Sequence, residues 1–102
     1  MPSWEPNWND VKWDHGASDA AAHALRQAAV LLEESAAQRE QLARQATAEW
    51  RGRYRREFDD RLSHMLRRAR QLAQEYREKA REILRKSQLA HEEQEHRERE
   101  RE

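Results

Sequence analysis

The sequence contains no cysteine, so it has neither a disulfide nor a thiolate metal site available, and its redox compartment cannot be read from it. Glycine and proline number only two each. Pro2, Pro6 and Gly16 lie near the start, which leaves Gly52 alone to punctuate the rest of the chain. Long uninterrupted helices are the expected result. Neither sign of charge is in excess: 20 Lys and Arg balance 20 Asp and Glu, so no global pull toward nucleic acid or an anionic membrane exists. No run is apolar enough to cross a bilayer. The opening Met1-Pro2-Ser3-Trp4-Glu5 also lacks the basic region and apolar run of a secretory signal. Such a chain stays inside the cell or leaves by a route that needs no cleavable signal. No Gly-rich phosphate loop and no nucleophile–base pair stands out. The carboxylates fall on predicted exposed faces, where nothing would tune them for acid–base work. Neither an enzyme nor a cofactor-binding protein is expected.

What is present is charge and helical periodicity. Charged residues make up 39% of the 102 and hydrophobic ones 36%, a composition suited to a thin core of helix seams. The chain reads as three units. Residues 1–17 form a Trp-rich leader, 18–90 a helical hairpin with its turn at 50–53, and 91–102 a charged tail. In the first helix, expected from Ser18 to about Glu49, Ser18 is the candidate cap and Asp19 favours the positive dipole end. Its stripe runs through Leu25, Ala28, Ala29, Leu32, Ala36, Leu42, Ala43, Ala46 and Trp50 at spacings of three and four. Ala29, Ala36 and Ala43 lie one heptad apart and would let another helix approach closely. The second helix, expected from about Tyr54 to about Ala90, carries Phe58, Leu62, Met65, Ala69, Leu72, Tyr76, Ala80, Ile83, Ser87 and Ala90. Leu66, Ala73 and Ala80 widen one flank of that stripe by a further heptad line. The predicted main seam is therefore Leu25, Leu32, Leu42, Phe58, Leu62, Met65, Leu72, Tyr76 and Ile83, with Leu66 and Ala73 assigned to an intersubunit flank. Two such rods enclose little between themselves, so the expected fold is an all-α helix–turn–helix hairpin that dimerises into an antiparallel four-helix bundle. The tail HEEQEHRERERE contains no apolar residue and is expected to fray unless a partner binds it.

At the turn stands Trp50-Arg51-Gly52, a W-x-G tripeptide between two amphipathic helices. It continues as Tyr54, Phe58 and Leu62 at spacings of four. With the chain length and the central position, residues 18–90 resemble the WXG100 superfamily, the ESAT-6-like proteins. The resemblance implies a hairpin that pairs with itself or with another WXG100-like protein. It also implies a substrate of a type VII (ESX) secretion system, cytoplasmic before export and then secreted, or the secretion partner of such a substrate. A secretion ATPase would be a further partner. Trp50 and Gly52 would form the turn, with Trp50 also contributing to an export-recognition surface. Many exported members carry a Tyr-x-x-x-Asp/Glu signal, which this chain lacks: Tyr76 is followed four residues later by Ala80, and Tyr54 by Phe58. The nearest forms are His91-x-x-x-Glu95 and His96-x-x-x-Glu100. A member without the signal would be carried by a partner that has it, or would be a non-secreted relative.

The residues leave other readings open. Trp4, Trp8 and Trp13 would close a groove along the hairpin, engage a partner protein or sit at a membrane interface. Glu5, Asp10 and Asp14 against Lys12 argue against the last, and no membrane insertion is expected. Arginines 51, 53, 55 and 56 make the hairpin tip locally basic, but Glu57, Asp59 and Asp60 follow at once. A solvated face with intrahelical ion pairs is favoured over nucleic-acid binding. The five histidines show no metal-ligand spacing. An intracellular coiled-coil adaptor, with leader or tail as docking element, is the alternative to secretion.

Overall fold

The structure is a computed structural model and describes residues 13–101. Helix α1 spans His15–Ala46 and helix α2 spans Arg53–Arg101, antiparallel to it, and the described residues contain no strand. The fold is an all-α helical hairpin. Trp4 and Trp8 lie outside the described residues.

Both ends of α1 are satisfied by side chains. Asp14 is the N-cap: its backbone is extended, and its carboxylate accepts from the Ala17 amide at 2.8 Å. The expected cap, Ser18, lies inside the first turn instead, where its hydroxyl donates back to the Asp14 carbonyl at 3.1 Å. The helix ends at Thr47, whose amide and hydroxyl both donate to the Ala43 carbonyl, at 3.0 and 2.8 Å. The chain then reverses over residues 47–52. Gly52 adopts φ +84°, a left-handed conformation that costs other L-residues about 1–2 kcal/mol. A Cβ there would meet no atom within 4 Å, so backbone strain alone selects glycine.

The seam between the helices is built on small residues. Ala22, Ala29 and Ala36 of α1 are buried, as are Leu62, Leu66, Ala73, Ala80 and Ser87 of α2. Ala22, Ala29 and Ala36 recur every seven residues, as do Leu66, Ala73, Ala80 and Ser87, the repeat that keeps one face of a helix on its neighbour, and Leu62 lies one turn before Leu66. The core cluster is Ala36, Leu62 and Leu66, with Ala43, Phe58 and Ala69 packed against it.

This corrects the sequence assignment in α2. Leu66 and Ala73, assigned to an intersubunit flank, are the centre of the chain's own seam, 5% and 0% exposed. Leu42 and Met65, assigned to the seam, are 65% and 39% exposed. The wide apolar stripe of α2 has two edges, and periodicity does not say which one faces α1. Closest approach is possible where both helices carry small side chains. The alanine-rich edge takes the middle, and the bulky residues are turned to the side.

Helix α2 also runs past the expected end at about Ala90 to Arg101. The tail is held by pairs four residues apart: His91–Glu95 at 2.9 Å, Arg97–Glu93 at 3.1 Å and His96–Glu100 at 3.0 Å. Gln88–Glu92 and Gln94–Glu98 add neutral-to-charged bonds. Each such pair contributes about 0.2–0.5 kcal/mol, and the helix already formed upstream removes the nucleation cost.

Candidate helix-packing surface

The two broad sides of the hairpin differ in chemistry. On one side, Glu33 receives two hydrogen bonds from the Arg77 guanidinium, at 2.6 and 2.7 Å. Arg77 holds the Glu33 carboxyl below the usual carboxylate range, chiefly through the hydrogen bond, and its own guanidinium is raised by the same contact. Glu40 bonds Arg44 at 3.1 Å and lies 3.9 Å from Arg70. The groove on this side is lined by Leu66 and by the polar side chains of Glu40, Arg44, Ser63, Arg67, Arg70, Gln71 and Gln74. Apart from Leu66 it is a polar wall.

The opposite groove is lined by Leu32, Ser35, Ala36 and Arg39 of α1 and by Met65, Leu66 and Ala69 of α2. Helical periodicity extends this side. Leu25 and Ala28 precede Leu32 on the same stripe of α1, and Leu42 follows it. On α2, Phe58 precedes Met65, and Leu72, Tyr76 and Ile83 follow. Leu25, Leu32, Phe58, Leu72, Tyr76 and Ile83 are half-buried, neither enclosed by the seam nor free of it. Of the predicted seam residues, Leu62 alone lies in the core and the others line this apolar side wall or, like Leu42, its outer edge. Lys79 and Lys86 sit at that edge, both bound to Glu82 at 3.6 and 3.2 Å, and they hold its carboxyl below the usual range.

At the turn, Trp50 stands 46% exposed, with its ring edge-on to Phe58 at a centroid distance of 5.5 Å and 71° between planes. It covers the end of the apolar side without being buried. The arginines of the tip serve the turn itself. Arg51 donates to the carbonyls of Ala48 and Trp50 at 2.9 and 2.7 Å. Arg55 donates to the Thr47 carbonyl and pairs with Asp59 at 3.0 Å, and Arg53 pairs with Glu57 at 3.0 Å. The two ion pairs are intrahelical, as expected from the sequence, but sequence reasoning missed the carbonyl contacts of Arg51 and Arg55 because those carbonyls become unpaired only once the chain has turned. Thr47, buried at the turn, was missed as well. The signal available was a lone Thr after the last alanine of the stripe, a residue type that bonds back to the preceding turn.

At the open end of the hairpin, His15 hydrogen-bonds Ser87 at 2.5 Å and meets the His91 ring edge-on at a centroid distance of 6.1 Å. Among the described residues, no group of three or more His, Asp or Glu side chains is arranged to hold a metal ion. No described helix is long and apolar enough to cross a membrane. Trp13, the one leader tryptophan within the described residues, is exposed beside the start of α1. No family model matches the chain, and no curated protein and no solved structure is significantly similar to it.

Proposed function

We propose that the chain is a helix-packing module whose apolar side docks onto another helical hairpin, and that it works as a WXG100-like type VII secretion substrate or as the secretion partner of one. The observation that carries the reading is the apolar side itself. Leu32, Met65, Leu72, Tyr76 and Ile83 remain part-exposed along one wall of a rod that is 75 Å long and only about 20 Å wide. A second hairpin laid on that wall would complete a four-helix bundle, at about 25 cal/mol for each Å² of apolar surface removed from water. The W-x-G tripeptide supports the finer assignment. Gly52 is left-handed at the chain reversal, and Trp50 is presented at the same end. In this reading the module is cytoplasmic until export and leaves without a cleavable signal. The missing Tyr-x-x-x-Asp/Glu signal makes a signal-bearing partner part of the export step, along with the secretion ATPase.

The test is to express a tagged chain in its native host and fractionate the culture medium, with Tyr76→Asp as the paired variant. Recovery of the chain in the medium with a second small helical protein is expected for the parent, and loss of that protein for the variant. Retention of both in the cells, with the parent monomeric by light scattering at every concentration, would remove the proposal. The alternative, an intracellular coiled-coil adaptor, is favoured by one feature. Helix α2 continues past His91, its last contact with His15, as an all-polar helix to Arg101, a ready docking rod.

A further inference from the structure

The open end of the hairpin brings together two histidines that lie far apart in sequence. Asp14 caps α1 and so makes His15 its first helical residue. On α2, Ser87, His91 and Glu95 follow one another at intervals of four, which stacks them on one helix face. His15 sits over the first two. Its Nδ1 is 2.5 Å from the Ser87 hydroxyl, and its ring meets the His91 ring edge-on at a centroid distance of 6.1 Å, with 83° between planes. We propose that His15 and His91 together bind one divalent late transition-metal ion, of the zinc, nickel or copper class, and that the ion staples α1 to α2. The inference is independent of the packing function above and requires no partner.

The ring nitrogens carry the argument. A metal-ligating imidazole gives its other N–H to an oxygen acceptor, which fixes the tautomer and aims the free nitrogen. Both rings have such a partner. His91 Nε2 donates to the Glu95 carboxylate at 2.9 Å, so Nδ1 keeps the lone pair in the neutral ring. The Ser87 hydroxyl can accept from His15 Nδ1, which leaves Nε2 as the ligating atom. Among the described residues, neither His15 Nε2 nor His91 Nδ1 makes a hydrogen bond or an ion pair.

Distance and chemistry fit as well. Metal–nitrogen bonds of about 2.0–2.1 Å, with the ring radius added, set two imidazoles on one ion about 5–6 Å apart between centroids. The observed 6.1 Å needs only a small rotation of two exposed side chains. Two nitrogens are fewer than the four ligands of a closed zinc site, so water completes the shell and the ion exchanges with solvent. Imidazole suits zinc, nickel and copper, whereas calcium and magnesium take oxygen ligands. The seam at this end is built of alanine and serine, with Ser18 and Ser87 buried in it. A staple here acts where apolar burial holds the helices least.

Calorimetric titration of zinc into the full chain, expressed without a histidine tag, tests the site. The parent is expected to bind one ion per chain. His15→Ala and His91→Ala should each abolish that binding while circular dichroism stays helical, since both residues are exposed. A triple variant, His23→Ala with His64→Ala and His96→Ala, should bind as the parent does, because these exposed histidines take no part in the pair. Zinc should also slow amide exchange around His15 and His91 in the parent and in neither single variant. No binding by the parent, binding retained in either single variant, binding lost in the triple variant, one ion shared between two chains, or unchanged exchange at the open end would each overturn the proposal.

Discussion

The half of the hairpin next to the turn is held by leucines, and the half at its open end by alanines and serines. Near the turn, Leu62 and Leu66 pack with Ala36, Ala43, Phe58 and Ala69. Toward the open end the buried positions are Ala22, Ala29, Ala73 and Ala80, and then Ser18 and Ser87. Full burial of a leucine contributes about 1.5–3 kcal/mol and a methyl-sized group about 0.8. The apolar stabilisation per turn of helix therefore falls from the turn toward the open end. The turn half also closes a short loop, at the lower entropic cost. The comparison teaches that the small residues contribute proximity more than burial energy. They let two backbones run side by side, so that a hydrogen bond such as His15–Ser87 can close the far end. Backbone amides of the open half should exchange with solvent faster than those of the turn half, as hydrogen exchange would show.

The contrast is broken most severely in the leucine half. Leu66→Ala should destabilise the hairpin by about 2–5 kcal/mol, read from urea unfolding, because the site is enclosed and relaxes only in part. In the alanine half the sensitivity inverts, and size becomes the hazard. Ala80 is fully buried, so Ala80→Leu should force the helices apart at about 1–3 kcal/mol. If Ala80→Leu were neutral or stabilising in the same unfolding assay, the close approach argued for that half would not exist.

Smaller effects sharpen the comparison at its two ends. Gly52→Ala should cost about 1–2 kcal/mol from the left-handed backbone alone. A thermal scan that left Tm unchanged would mean the turn rearranges. Ser87→Ala at the open end should cost about 0.5–1.5 kcal/mol and speed exchange there more than at the turn. The smallest effect is electrostatic. The Arg77 hydrogen bonds lower the Glu33 carboxyl from the ordinary 4.5, so its share of stability is fully present above that value and lost as pH falls through the lower folded value. Melting curves from pH 5 downward should therefore show a modest fall in Tm that Glu33→Gln reduces, the Glu82 carboxyl keeping its own share, and salt should weaken the effect in the parent.

Much of this was legible in the residues. The periodic stripes and the lone Gly52 located the starts of both helices and the reversal within a few residues. What they could not resolve was the rotation of α2 about its own axis. Its apolar stripe is broad enough for either Met65 and Leu72 or Leu66 and Ala73 to face α1, and the assignment favoured the larger side chains. The N-cap was placed four residues late because both Asp14 and Ser18 are good caps, and only the course of the chain distinguishes them. The tail was expected to fray because each of its ion pairs is weak. They act together here as the continuation of a helix nucleated upstream.

The sequence by itself determined that the protein would be two long helices around one reversal. With no cysteine, almost no glycine or proline and apolar residues every three or four positions, the backbone has few other ways to satisfy its hydrogen bonds. Only the tertiary structure decided which edge of each stripe meets the other helix. Backbone approach, set by where alanines of both helices coincide in space, outweighed side-chain size. That choice placed the bulky residues on one outer wall, which stays part-exposed, and the interhelical ion pairs on the other.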